Sequence, residues 1–172
     1  MLYTTLDLWS FVDTDTVQER WMMCGAVIRW IRLAVEESLK WSHQRIVFGK
    51  PLVDQPVIRA KLARMIAYAE STQAWLEQIT HQMNNMSYAQ QSKLLSGPIA
   101  LLKSHSTRCA HEVADEAVNL FGGRGLTRGG MGSVVRNFHN GYKFDAILGG
   151  TEEILADLGV RQAMKQMPKA RL

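Results

Sequence analysis

At 172 residues, 47% of them hydrophobic, the chain is long enough to bury one core and form one domain. Its 20 Lys and Arg exceed its 16 Asp and Glu, for a formal charge of +4, but the two signs alternate without a basic block, which argues against a nucleic-acid-binding protein. Cys24 and Cys109 form no spaced pair and suit small buried residues, no apolar run is long enough to span a bilayer, and the N-terminus lacks a secretory pattern.

Residues 1–15 are expected to be an irregular N-terminal segment, because Leu2 to Val12 alternates only loosely, as a strand remnant or a disordered start would. From residue 16 to about 46 the pattern changes to a helix. Val17, Trp21, Cys24, Ile28, Ile31 and Val35 recur every three or four positions, after possible caps at Thr14, Asp15 and Thr16. That helix should stop before Gly49 and Pro51. A second stripe runs Ile58, Leu62, Met65, Ala69, Thr72, Leu76, Ile79 and Met83, between a start at Asp54 and Pro56 and a stop at Asn84-Asn85. A third helix opens at Ser87, with Gln90 completing a capping box, and carries Leu95, Leu102, Cys109, Val113 and Leu120 to Gly122-Gly123. Gly97-Pro98 should kink or split it.

Residues 122 to 133 read as a glycine-rich loop, followed by shorter helices over about 134–147 and 151–166 and a tail over 167–172. No strand pattern follows residue 15. The expected fold is therefore all-α, an antiparallel helical bundle over residues 16–166 whose stripes share one core, with five Trp and nine Met suited to helix packing. His43, His81, His105, His111 and His139 lack metal-ligand spacing and read as surface or interface residues.

Four motifs carry chemistry in a particular order: Glu19-Arg20-Trp21, Arg45-Ile46-Val47-Phe48-Gly49-Lys50-Pro51-Leu52, Phe121-Gly122-Gly123-Arg124-Gly125, and the run from Ala146 through Gly149-Gly150-Thr151-Glu152-Glu153 to Leu155. The last could simply join two helices. Its glycines also permit a sharp turn and close approach to a ligand, and Thr151 can cap a helix whose positive end suits an anionic or carbonyl-bearing ligand. In this order the motifs resemble the C-terminal helical domain of the FAD-dependent acyl-CoA dehydrogenases, a resemblance covering about residues 17–165.

The resemblance implies α,β-dehydrogenation of an acyl-CoA thioester. A carboxylate takes the α-proton while the β-hydrogen leaves as hydride to FAD. Such a base belongs in an apolar cleft, where desolvation raises a carboxyl pKa. Most members place it immediately before the Gly-Thr of the late loop, where this chain has Gly149. The isovaleryl-like and long-chain-like subgroup uses instead the Glu of the early Glu-Arg pair, which makes Glu19 the implied catalytic residue. Arg45 and Phe48 match contacts to the FAD pyrophosphate and adenine. Arginine suits phosphate because its planar fork fixes the oxygens. Gln55, Asn119, Gly122 and Gly123 match further contacts there, with Asn119 standing where Gln is usual; the glycines also serve as a helix C-cap. Thr151 and Glu153 match positions touching the cofactor from the late loop.

Arg45 lies 26 residues beyond Glu19, about 39 Å along a continuous helix. One FAD does not bridge that span, so the two residues are expected to serve different cofactors in a homo-oligomer, dimer or tetramer, whose subunits share FAD sites. Asn140-Gly141 replaces an Arg-Asp pair of the family, removing a charge pair and placing glycine inside a helix. The family is about twice as long, and its N-terminal helical and middle β-domains are not matched. The isolated domain is accordingly expected to be inactive.

Two rival functions remain at this level: an acyl-CoA oxidase or nitroalkane-oxidase-like flavoenzyme, and a non-catalytic helical module that only binds partner subunits. A yellow purified protein would favour the flavoenzymes. Ala170-Arg171-Leu172 resembles the Ser-Lys-Leu peroxisomal address; without it the expected place is mitochondrial or cytoplasmic.

Overall fold

The computed structural model describes the backbone of residues 5–167 and the side chains of residues 16–167. Among these residues the chain forms α1 (Thr5–Gln44), a hairpin of β1 (Ile46–Val47) and β2 (Lys50–Pro51), a 3-10 turn (Leu52–Asp54), α2 (Pro56–Asn84), α3 (Tyr88–Phe121), a second 3-10 turn (Gly122–Leu126), α4 (Ser133–Ile147) and α5 (Glu152–Gln166). The all-α expectation holds.

Two expectations are corrected. The segment expected to be irregular is helical from Thr5 onward. No Gly or Pro interrupts residues 5–24, so a helix once formed propagates back through the loose alternation. The absence of strand beyond residue 15 is overturned by β1 and β2, which pair antiparallel with Ile46 opposite Pro51 and Val47 opposite Lys50. Two-residue strands are too short to leave a period in the sequence.

Boundaries of the other helices follow local chemistry. Pro56 opens α2 at a position where its missing N–H is no loss. The Ser87 backbone N–H donates to Gln90 Oε1 at 2.9 Å, the reciprocal half of the capping box. Gly97-Pro98 does not split α3, which runs unbroken to Phe121. Nor does Gly141 interrupt α4.

The topology is up-down-up for α1, α2 and α3. Trp21 Nε1, in the first half of α1, donates at 2.9 Å to Thr80 Oγ1 near the end of α2, and Lys61 and Arg64 of α2 both bind Glu116 late in α3. Helices α4 and α5 then both run antiparallel to α3. Lys103 meets the end of α4, Ser104 the start of α5, and Gly97 lies against Gln162 farther on. They behave as one helix line broken midway at Gly149-Gly150.

The stripes do not make a single core. Val17, Cys24, Ile28, Ile79, Leu95, Ile99 and Leu102 form one buried group. A larger one joins Val27 to Trp41 of α1 with Leu62, Met65 and Ala69 of α2, Cys109 to Phe121 of α3, and Val135 and Phe138 of α4. Between them lies a buried polar level of Thr72, Lys103, Ser106 and Thr107. The three hydroxyls satisfy themselves on carbonyls of the preceding turn, at Tyr68 and Lys103. Leu76, expected in the core, is only partly buried.

Candidate functional site

Two separate assemblies hold the expected site residues. The first forms where α1 ends. Arg45 N–H still donates to Trp41 O at 2.9 Å, and Arg45 O accepts from Leu52 N–H at 2.7 Å, so the arginine is clamped between helix and hairpin. The hairpin tip is Phe48 (φ 54°) and Gly49 (φ 75°), the left-handed pair that a two-residue I′ turn requires. Glycine adopts this freely, whereas a bulky L-residue is strained by about 1–2 kcal/mol. Phe48 nevertheless occupies it, with the residue 92% exposed.

Behind the hairpin, Trp41, Arg45, Asn119, Gly122, Gly123 and Arg124 line a cavity of about 460 Å³. Gly122 (φ 60°) terminates α3, and a Cβ at Gly122 or Gly123 would meet nothing, so this backbone faces open space. Trp41 forms the floor. It donates from Nε1 to Leu120 O at 3.0 Å, stacks on Phe121 at 5.2 Å, and carries the Arg124 guanidinium 5.0 Å from its ring centroid. The fold thus brings Arg45, Asn119, Gly122 and Gly123 into one pocket. Phe48 stands on the adjoining hairpin, and Gln55 precedes α2, accepting from the N–H groups of Ile58 and Arg59.

The second assembly surrounds the late loop. Arg20 Nε donates to Gly149 O at 3.0 Å, which ties the early Glu-Arg pair to the loop. Glu19, the preceding residue of α1, is exposed. Gly149 (φ 68°) and Gly150 (φ 116°) break the helix line, and a Cβ on Gly149 would come 2.9 Å from Met23 Sδ. Thr151 occupies the N-cap position of α5 without capping the backbone. The Glu153 backbone N–H, and next the Thr151 hydroxyl, hold the Glu153 carboxyl below its ordinary range.

Lys103 anchors this loop and went unnoticed in the sequence. It is 1% exposed, and its Nζ donates to Asp145 O at 3.0 Å and Gly150 O at 3.1 Å. One bond satisfies a carbonyl at the end of α4, the other fixes the loop itself. Burial pushes its pKa down, and burial likewise pushes the neighbouring Cys24 thiol up to about 12. The available signal was a lysine within the inward series Ile99, Lys103, Ser106, Ala110 and Val113, where every other member is apolar or small. Thr151 and Glu153 thus lie together at the start of α5, Glu19 is joined to the late loop only through its neighbour Arg20, and Arg45 lies at the far end of α1.

Comparison with known proteins matches residues 9–164 to the family model "Acyl-CoA dehydrogenase, C-terminal domain". The acyl-CoA dehydrogenase apdG of Emericella nidulans is 35% identical over 147 residues, covering 86% of this chain and 34% of that protein. The acyl-CoA dehydrogenase AFT10-1 of Alternaria alternata is 30% identical, covering 84% of this chain and 34% of that one. The crystal structure of an acyl-CoA dehydrogenase from Slackia heliotrinireducens shares the fold, with a TM-score of 0.79 at 20% identity over 92% of this chain and 39% of its own. The chain therefore spans about a third of the length of its curated relatives, less than the half that the resemblance implied.

Proposed function

Because this chain belongs to the acyl-CoA dehydrogenase family, as its C-terminal helical domain, we propose that it works within a flavoprotein oxidoreductase that dehydrogenates an acyl-CoA thioester between its α and β carbons, FAD accepting the hydride. The observation that carries the mechanism is the hydrogen bond from Arg20 to the Gly149 carbonyl. It brings the helix turn that carries Glu19 to the loop position where a carboxylate is missing, which supports reading Glu19 as the base, as in the isovaleryl-like and long-chain-like subgroup. In this reading Glu19 removes the α-proton. Lys103 and Arg20 hold the loop carbonyls in place, and Thr151 and Glu153 present polar groups to the cofactor. The Arg45 pocket fits the diphosphate end of FAD. Its guanidinium groups have no ion-pair partner among the described residues, and no carboxylate lines it. Since α1 separates that pocket from Glu19, it serves the cofactor of a neighbouring subunit.

The test is Glu19→Gln in a full-length protein carrying this domain. Flavin content should be unchanged, while flavin reduction by acyl-CoA falls by about a hundredfold or more. Reduction at the unsubstituted rate would remove Glu19 as the base. We further propose a peroxisomal location from Ala170-Arg171-Leu172, residues outside those described. Loss of peroxisomal import on deleting that tripeptide tests it.

A further inference from the structure

Arg45 is not the only cation in the hairpin pocket. Arg124 lines the same cavity, and the ion pairs of Arg29, Arg32, Arg64, Arg108 and Arg161 leave both pocket arginines without a carboxylate among the described residues. Asp115, one turn back along α3, is engaged by Asn119 Nδ2 at 3.0 Å. Two exposed guanidinium groups thus line one cavity of about 460 Å³, a concentration of positive charge that suits an anion.

The chain also invests in holding Arg124 there. Its guanidinium lies over Trp41, itself pinned by Leu120 O and Phe121. A guanidinium whose face meets an aromatic ring keeps its in-plane N–H groups for an anion. Its backbone is fixed twice. Thr127 Oγ1 donates to Arg124 O at 2.9 Å, and Gly132 packs so closely that a Cβ there would lie 2.0 Å from that oxygen.

We propose that Arg124 is a second diphosphate-binding residue, closing with Arg45 as a two-guanidinium clamp on an adenosine diphosphate group, with Trp41 as its support. This rests on the reading of the pocket as a diphosphate site and adds a residue to it. The same group occurs in FAD and in coenzyme A, so the ligand class is an adenine nucleotide carrying a diphosphate.

The test is calorimetric titration of the purified chain with ADP at low salt. Wild-type protein should bind ADP more tightly than adenosine, and Arg124→Gln and Arg45→Gln should each weaken ADP binding about tenfold, the worth of one charge-assisted contact. Arg124→Lys, which keeps the charge and loses the fork, should fall between. Circular dichroism confirms that each variant is folded. If Arg45→Gln weakens ADP and Arg124→Gln does not, the clamp is wrong and the diphosphate site stands. If neither substitution matters, or the wild-type chain binds no ADP at millimolar concentration, both fall. Titrations with FAD and coenzyme A then identify which compound supplies the group, by whichever loses more affinity in Arg124→Gln.

Discussion

Lys103 shows what a single buried charge does in this domain. Its ammonium is sealed from water, yet it carries two carbonyl contacts that no apolar residue could replace. Replacing it with Met should orphan the Asp145 and Gly150 carbonyls and destabilise the fold by about 1–3 kcal/mol at neutral pH. The pH dependence has a definite sign. Burial lowers the lysine pKa in the folded state, so between that lowered value and its ordinary 10.5 the unfolded chain binds more protons. Stability contributed by this site therefore rises with pH across that window and is flat below it. The buried thiols Cys24 and Cys109 act the other way above their ordinary value of 9.0, so urea unfolding across alkaline pH should show a more positive slope of stability against pH in the wild-type chain than in Lys103→Met. An identical slope in both proteins would assign it to other groups.

Helix α5 docks by close approach more than by bulk. A Cβ on Gly159 would fall 2.3 Å from Leu101 Cγ, and one on Gly97 2.8 Å from Gln162 Cβ. Gly159→Ala should therefore push α5 off α3 and destabilise by about 1–3 kcal/mol, although alanine favours an isolated helix. A thermal melt at or above wild-type stability would contradict that packing. The limits of α2, α3 and α5 were legible because Pro56, the Ser87–Gln90 pair and the paired glycines each act within one turn of the chain. The start of α1 was not, since nothing local marks it. The Arg45, Asn119 and Gly122-Gly123 group could be read from motifs, whereas Lys103 and Arg124 could not. An inward lysine looks like a flaw in a stripe, and Arg124 acquires meaning only when Trp41 is brought beneath it from another helix.

At the scale of the whole molecule, large apolar side chains lie bare among the described residues. Met22, Phe144, Ile147 and Ile154 are all at least 60% exposed around the late loop, with Phe48 bare on the hairpin. Val57, Tyr88, Leu126, Met164 and Met167 are comparably exposed elsewhere, so apolar surface suited to being covered is spread over several faces. The isolated chain should therefore self-associate, and should neither retain stoichiometric FAD nor turn over acyl-CoA. Gel filtration read at protein and flavin wavelengths decides this: a monomer eluting with full flavin and dehydrogenase activity would overturn both the shared-site reading and the need for further domains. Helix α1 adds a constraint on how such a chain can change over generations. Because one rigid rod sets both the distance and the angular phase between Glu19 and Arg45, deleting a single residue between them shortens the rod by about 1.5 Å and turns one end about 100° against the other. Substitutions can accumulate along that stretch, but its residue count is an arithmetic quantity that insertions and deletions cannot drift through gradually.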